Sequence, residues 1–97
     1  MNKQIQLPTV GEILQEEYMA PFGLSADKLA QAIHVPVSRI QDILLGRKEI
    51  TADTSLRLAK FFGVSELYFL QIQNDIDVRR LRSEIGADLD SIVPIHS

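Results

Sequence analysis

SADKLAQAIHVPVSRIQDILL, residues Ser25 to Leu45, decides the fold. It divides into two short helices joined by a tight turn. Ser25 suits an N-cap because its hydroxyl can accept from an otherwise unpaired backbone N–H, and Asp27 complements the positive end of the helix dipole. Leu29, Ala30 and Ile33 then recur at helical spacing on one face. His34-Val35-Pro36 forms the turn. Proline fixes its own φ and drives the preceding residue out of helical geometry, so the first helix stops before Val35. In the second helix Ile40, Ile43 and Leu44 make a buried stripe, leaving Val37, Ser38, Arg39, Gln41 and Asp42 facing out. Gly46 ends it, because glycine takes the left-handed conformation that a helix stop needs. Helix, tight turn and a second helix with a polar outer face is the pattern of a DNA-reading helix-turn-helix.

The flanks extend this pattern into an all-α, five-helix domain over residues 8–82. On the N-terminal side, residues 1–7 read as a loose arm. Pro8 opens a first helical region with Val10, Ile13, Leu14 and Tyr18 on one face, and Pro21 stops it. On the other side, Arg47-Lys48-Glu49-Ile50 forms a loop and Thr51 caps the next helix. Ser55, Leu58, Ala59 and Phe62 share its inner face, and Gly63 terminates it. Ser65 is expected to cap a fifth helix reaching Arg82. In it Phe69, Ile72 and Ile76 recur at helical spacing while Tyr68, Val78 and Leu81 widen the apolar surface. Residues 83–97 form a short C-terminal tail. Gly86 is expected to interrupt any helix there, and Ile92-Val93-Pro94-Ile95 is a short strand-like apolar run. The tail is either a frayed end or a segment that orders on a partner by adding a strand to a sheet edge.

Size and composition bound the function. A chain of 97 residues makes one domain with a modest core. The absence of cysteine excludes disulfides and thiolate metal ligands and fits a reducing cytoplasm. No apolar run is long enough to span a bilayer, and MNKQIQLPTV lacks the apolar centre of a signal peptide, so the expected location is cytoplasmic. The net charge of −3 argues against a nucleic-acid partner until its distribution is considered. Between Ser38 and Lys60 five basic residues (Arg39, Arg47, Lys48, Arg57, Lys60) outnumber three acidic ones. The first helix carries Glu12, Glu16 and Glu17, and the tail Glu84, Asp88 and Asp90. A basic middle between acidic ends is compatible with one DNA-facing surface and another for a basic partner, and equally with ordinary mixed surface charge.

The residues offer no catalytic constellation. His34 and His96 have no companions for a metal site, no glycine-rich phosphate loop is present, and Ser38 has no base. No cofactor and no catalytic residue is expected. For DNA, a recognition helix presents its N-terminal residues to base edges. Arg39 can take guanine O6 and N7, Gln41 can read adenine, Ser38 can bond a base or phosphate, and Val37 can touch a thymine methyl. Asp42 can accept from cytosine or orient Arg39, and Pro36 leads the group. Arg47 and Lys48 lie where phosphates pass, and the helix starts at Ser25 and Thr51 can offer backbone N–H groups to phosphates. The competing roles are a surface Arg39–Asp42 pair, a solvated Gln41, and Arg47 and Lys48 as residues favoured at a helix C-terminus. One recognition helix covers a short half-site, so a two-fold dimer is expected, with Phe69, Ile72 and Ile76 as its candidate interface and some of the three in the core.

The chain resembles the HigA-type antitoxins, a branch of the lambda-repressor-like (Xre) helix-turn-helix family. The motifs that carry the likeness are Gly11 to Glu17, Pro21-Phe22-Gly23-Leu24-Ser25, Leu29-Ala30, Val35-Pro36, Arg39-Ile40, Gly46-Arg47, Ile50 to Gly63, and Leu70, Gln73 and Asp77-Val78-Arg79. It departs from the family pattern at Thr9-Val10, where a His-Pro is common, and at His34, where glycine is common and positive φ is often needed. The resemblance implies neutralisation of a HigB-type, RelE-like mRNA endonuclease toxin and repression of the protein's own operon as a DNA-bound dimer. A stand-alone repressor without a toxin, and an interaction module that has lost DNA binding, are the alternatives.

Overall fold

Thr9 begins the first helix. Its hydroxyl accepts from the Glu12 N–H at 3.0 Å, and the Glu12 carboxylate accepts from the Thr9 N–H at 3.3 Å. This reciprocal capping box removes two orphan donors and places Pro8 just outside the helix. The computed structural model describes residues 6–96, so residues 1–5 of the expected arm and Ser97 lie outside the described residues. Helix α1, Val10–Ile13, runs on as a π-helical segment, Leu14–Met19, and a 3₁₀ turn, Ala20–Phe22. The wider π turn brings Leu14 and Met19, five residues apart, into the core together. Met19 therefore joins the core although an α-helical spacing does not select it. Pro21 does not stop the chain; it sits inside the 3₁₀ turn, and Gly23, at φ 63°, makes the stop.

The helix-turn-helix forms as its sequence predicts. Helix α2 is Ala26–Ile33, with the Ser25 hydroxyl accepting from the Lys28 N–H at 3.1 Å. His34 then adopts φ 61° and ψ 48°, and it is the one non-glycine residue with positive φ among the described residues. Helix α3 is Val37–Leu44, with Ile40 and Ile43 buried and Leu44 packed against the core's edge. Leu45 closes it and Gly46 follows at φ 74°. Helix α4, Ala52–Phe62, is capped by the Thr51 hydroxyl, which accepts from the Thr54 N–H, and is stopped by left-handed Gly63.

Helix α5, Tyr68–Glu84, departs from expectation at both ends. Ser65 does not cap it. A turn occupies Glu66 and Leu67, the Ser65 carbonyl accepts from the Tyr68 N–H, and Leu67 is the N-cap residue. At the other end the helix passes Arg82. It bends at Ile85 and continues as helix α6, Gly86–Ser91. Gly86 thus starts a helix in the tail instead of interrupting one. Ile85 joins the two helices: its N–H donates to Leu81 as the last bond of α5, and its carbonyl accepts from the Leu89 N–H as the first bond of α6. Residues 92–95 form no strand; Ile92, Val93 and Ile95 are exposed, Ile95 at 95 %. Among the described residues the architecture is all-α.

One core holds the domain together. Leu14, Met19, Leu29, Ala30, Ile33, Ile40, Ile43, Ile50, Leu58 and Phe69 form a single buried cluster. Phe69 is 0 % exposed and stacks edge-on against Tyr18 and Tyr68. Tyr18 and Tyr68 share a hydroxyl–hydroxyl hydrogen bond at the edge of this aromatic group. Burial, and then that bond, push the Tyr18 phenol up to about 12.

Two contacts hold α3 and the segment after it from behind. A Cβ on Gly11 would lie 2.2 Å from the Ile43 carbonyl oxygen, so only glycine lets α1 approach the last turn of α3 this closely. Gln73 is buried on α5 and exchanges two hydrogen bonds with the Ile50 backbone, accepting from its N–H at 2.7 Å and donating to its carbonyl at 2.9 Å. This satisfies both backbone polar groups of a buried loop residue as a strand neighbour would, and it pins the segment between α3 and α4.

Candidate nucleic-acid interface

The outer face of α3 is set by what its inner face buries. Ile40 and Ile43 face the core, which turns Ser38 and Gln41 to solvent and leaves Arg39 and Asp42 half-exposed. Pro36, in extended conformation, is exposed just before the first turn. Val37 is not fully outward: it packs partly against the core cluster, because the first turn of α3 lies close to α2 across the short linker. Ser25 and Thr51 are exposed at their helix starts, yet their hydroxyls are already engaged as caps.

Arg39 does not pair with Asp42. Its Nη1 donates to Asp53 Oδ2 on α4 at 2.5 Å. The same oxygen accepts from Arg57 Nε at 3.0 Å, one helical turn along α4. Arg57 Nη1 in turn donates to the backbone carbonyls of Ile33 and His34, at 3.0 and 3.3 Å. These carbonyls end α2, where unpaired acceptors collect and a cation is favoured. Hydrogen bonds from Arg57 and Arg39 hold the Asp53 carboxyl below the usual carboxylate range. In the sequence Arg57 is one basic charge among five between Ser38 and Lys60. Its i,i+4 relation to Asp53 is legible in the sequence; the cross-helix link to Arg39 needs the fold.

Past α3 the backbone wraps the helix end. The Arg47 and Lys48 N–H groups both donate to the Asp42 carbonyl, at 2.8 and 3.3 Å, and both side chains are left exposed. The Arg47 and Lys48 loop faces a groove floored by α5 and bordered by residues 6–12. Among the described residues no three His, Cys, Asp or Glu side chains gather as a metal site, and no helix is long and apolar enough to cross a membrane.

The helix-turn-helix family model matches residues 16–69, which includes α2, the turn, α3 and α4. The chain belongs to the helix-turn-helix family. It is 40 % identical to virulence-associated protein I of Dichelobacter nodosus over 93 % of this chain and 84 % of that protein. A HigA-family addiction-module antidote from Coxiella burnetii is similar in structure, with a TM-score of 0.84 and 36 % identity over 93 % of this chain and 99 % of that one. The Pseudomonas aeruginosa antitoxin HigA, solved with the higBA promoter, superposes with a TM-score of 0.83 at 26 % identity over 93 % of this chain and 99 % of that one. This member therefore has a DNA-binding, antitoxin-like fold of HigA type, in a family of regulators and antitoxins rather than enzymes.

The expected dimer residues divide. Phe69 is core: it is fully buried against Tyr18 and Phe62, so it has no surface to offer a second subunit. Ile72 and Ile76 are half-buried. The exposed apolar residues lie further along, at Val78, Leu81, Ile85, Leu89 and Ile92. They recur at intervals of three, four, four and three residues along α5, the bend and α6.

Proposed function

We propose that the protein is an antitoxin that represses its own operon by reading operator DNA with α3 and that neutralises a HigB-type, RelE-like mRNA endonuclease. The observation that carries the DNA half is the solvent face of α3, with Ser38, Arg39, Gln41 and Asp42 projecting from a helix whose opposite face is locked in the core. Arg39 and Gln41 read base edges and Ser38 a base or phosphate. Asp42 accepts from cytosine, and Pro36 with the free side of Val37 makes apolar contact. Arg47, Lys48 and the backbone N–H groups at the helix starts of Ser25 and Thr51 hold phosphates. The similarity to an antitoxin solved with its promoter supports this reading.

Two copies bind one operator, each reading a half-site about 34 Å from the other. Their contact is the Val78, Leu81, Ile85, Leu89 and Ile92 stripe, with Ile72 and Ile76 at its margin. The toxin, an enzyme that must bind RNA and so carries positive charge, docks on the acidic outer face of the first helix. Glu16 and Glu17 are exposed there. Glu12 is occupied as half of the capping box and is not a free contact.

A gel shift on the protein's own promoter tests the repressor. Arg39→Ala relaxes preference at one base pair, at a cost of about 1–3 kcal/mol. Lys48→Ala weakens binding to all sequences alike and lowers the salt slope by about one unit. Identical behaviour of the two variants refutes the division of base from phosphate contacts. Co-expression with the small gene adjoining the reading frame tests the antitoxin. Rescue of growth that fails with Glu16→Lys/Glu17→Lys supports it; a neighbour without toxicity leaves a stand-alone repressor.

A further inference from the structure

We infer that Asp53, which lies on α4 and outside the recognition helix, is a specificity-determining residue: it orients the Arg39 guanidinium and so sets which base pair α3 reads. The inference rests on the reading of α3 as the DNA-contacting helix.

The geometry is a relay of four links. The Ile33 and His34 carbonyls accept from Arg57 Nη1, Arg57 Nε donates to Asp53 Oδ2, and that oxygen accepts from Arg39 Nη1. The links run from the end of α2 to Arg57, along α4 from Arg57 to Asp53, and across to α3 at Arg39, so the position of the guanidinium is referred to the α2 turn and to α4 as well as to its own helix. A long side chain such as arginine otherwise loses substantial rotamer entropy on fixing. Here much of that ordering exists before any ligand arrives, and preorganisation lowers the cost of binding. The contact also selects an edge. Asp53 takes one N–H of Nη1, which leaves the Nε and Nη2 edge wholly free for the two acceptors of a guanine.

As a source of stability the relay is weak. Arg39 and Asp53 side chains are 40 % and 54 % exposed, and exposed ion pairs contribute little to folding. Its charge balance matters more for DNA. Asp53 lies in the first turn of α4, beside the helix start at Thr51, where a bare carboxylate would repel a phosphate. Two arginines neutralise it while it does its orienting work. Substitution of Asp53 therefore changes two DNA terms in opposite directions: selectivity falls, and affinity for any sequence rises.

The test is a base-by-base substitution series of the operator half-site, read by gel shift at two salt concentrations. It uses the full chain, Asp53→Asn, Arg39→Ala and the double variant, with melting temperature confirming that each is folded. Wild type discriminates at the Arg39 base pair by about five- to 150-fold, the range of a bidentate contact. Asp53→Asn is expected to lose most of that discrimination at that same base pair. It keeps preference elsewhere and binds non-specific DNA more tightly, and the double variant is no less selective than Arg39→Ala alone. Full discrimination retained in Asp53→Asn while Arg39→Ala loses it overturns the role of Asp53 and leaves the recognition helix intact. Unchanged preference in Arg39→Ala itself overturns the underlying reading of α3. A uniform loss of preference at every base pair in Asp53→Asn marks a structural role only and also overturns the inference.

Discussion

The two ends of α5 behave as different kinds of surface. Its first turns belong to the core: Phe69 is fully buried among aromatic rings, and Gln73 is buried with both ends of its amide satisfied by Ile50. Beyond Gln73 no described residue is buried, yet leucines, isoleucines and a valine continue at helical spacing through α6. The difference teaches that apolar periodicity has two meanings. Upstream it records burial within one chain. Downstream it marks a stripe that this chain alone leaves about half in water, where the exposed part of its apolar area adds nothing to the fold of a single copy.

The largest way to break this comparison is at Phe69. Phe69→Ala is expected to destabilise the folded domain by about 3–5 kcal/mol, seen in urea denaturation, because it removes a fully enclosed ring. A protein that stays as stable as wild type but turns monomeric would return Phe69 to the interface. Next is Gly11→Ala. The added methyl meets the Ile43 carbonyl, and with no flexible side chain to yield, the two helices must separate. A net loss of about 2 kcal/mol is expected by denaturation, with weakened operator binding in the folded fraction as the last turn of α3 shifts.

The exposed stripe answers differently. Leu81→Glu with Ile85→Glu is expected to leave the stability of the single folded copy within about 0.5 kcal/mol. In light scattering the pair should shift the protein to monomer mass, and operator affinity should fall because one copy holds only a half-site. A large loss of single-copy stability would make the stripe part of the core. The smallest effect is one of pH at the aromatic edge. Unfolded tyrosine ionises near 10, whereas Tyr18 in the fold is pushed up to about 12. The folded state therefore holds its proton longer, and stability present below pH 10 is lost as pH rises through 10 toward 12. Tyr18→Phe should flatten that decline in alkaline denaturation curves.

The helix-turn-helix was legible because each boundary has a local cause. Ser25 and Thr51 are caps, Gly46 and Gly63 take positive φ, and Pro36 sets the turn. His34 stood out as a departure from its family, and it does occupy the left-handed conformation that its position demands. At Pro21, Ser65 and Gly86 the structure departs from residue preference for one reason: such preference is a weak prior when a neighbouring turn or packing contact competes. The π turn at Leu14–Met19 has no residue signature at all; its i→i+5 spacing buries Leu14 and Met19 together.

The sequence by itself determined where the helices of residues 25–63 begin and end, which face of α3 is polar, and the family likeness, because capping, periodicity and turn chemistry act over a few residues. The tertiary structure alone decided that Arg39 binds Asp53 instead of Asp42, that Gly11 is the contact point of α1 with α3, and that Phe69 lies inside while Leu81 and Ile85 lie outside. Those outcomes depend on which residues far apart in the chain come within a few ångströms, and a one-dimensional pattern does not carry that distance.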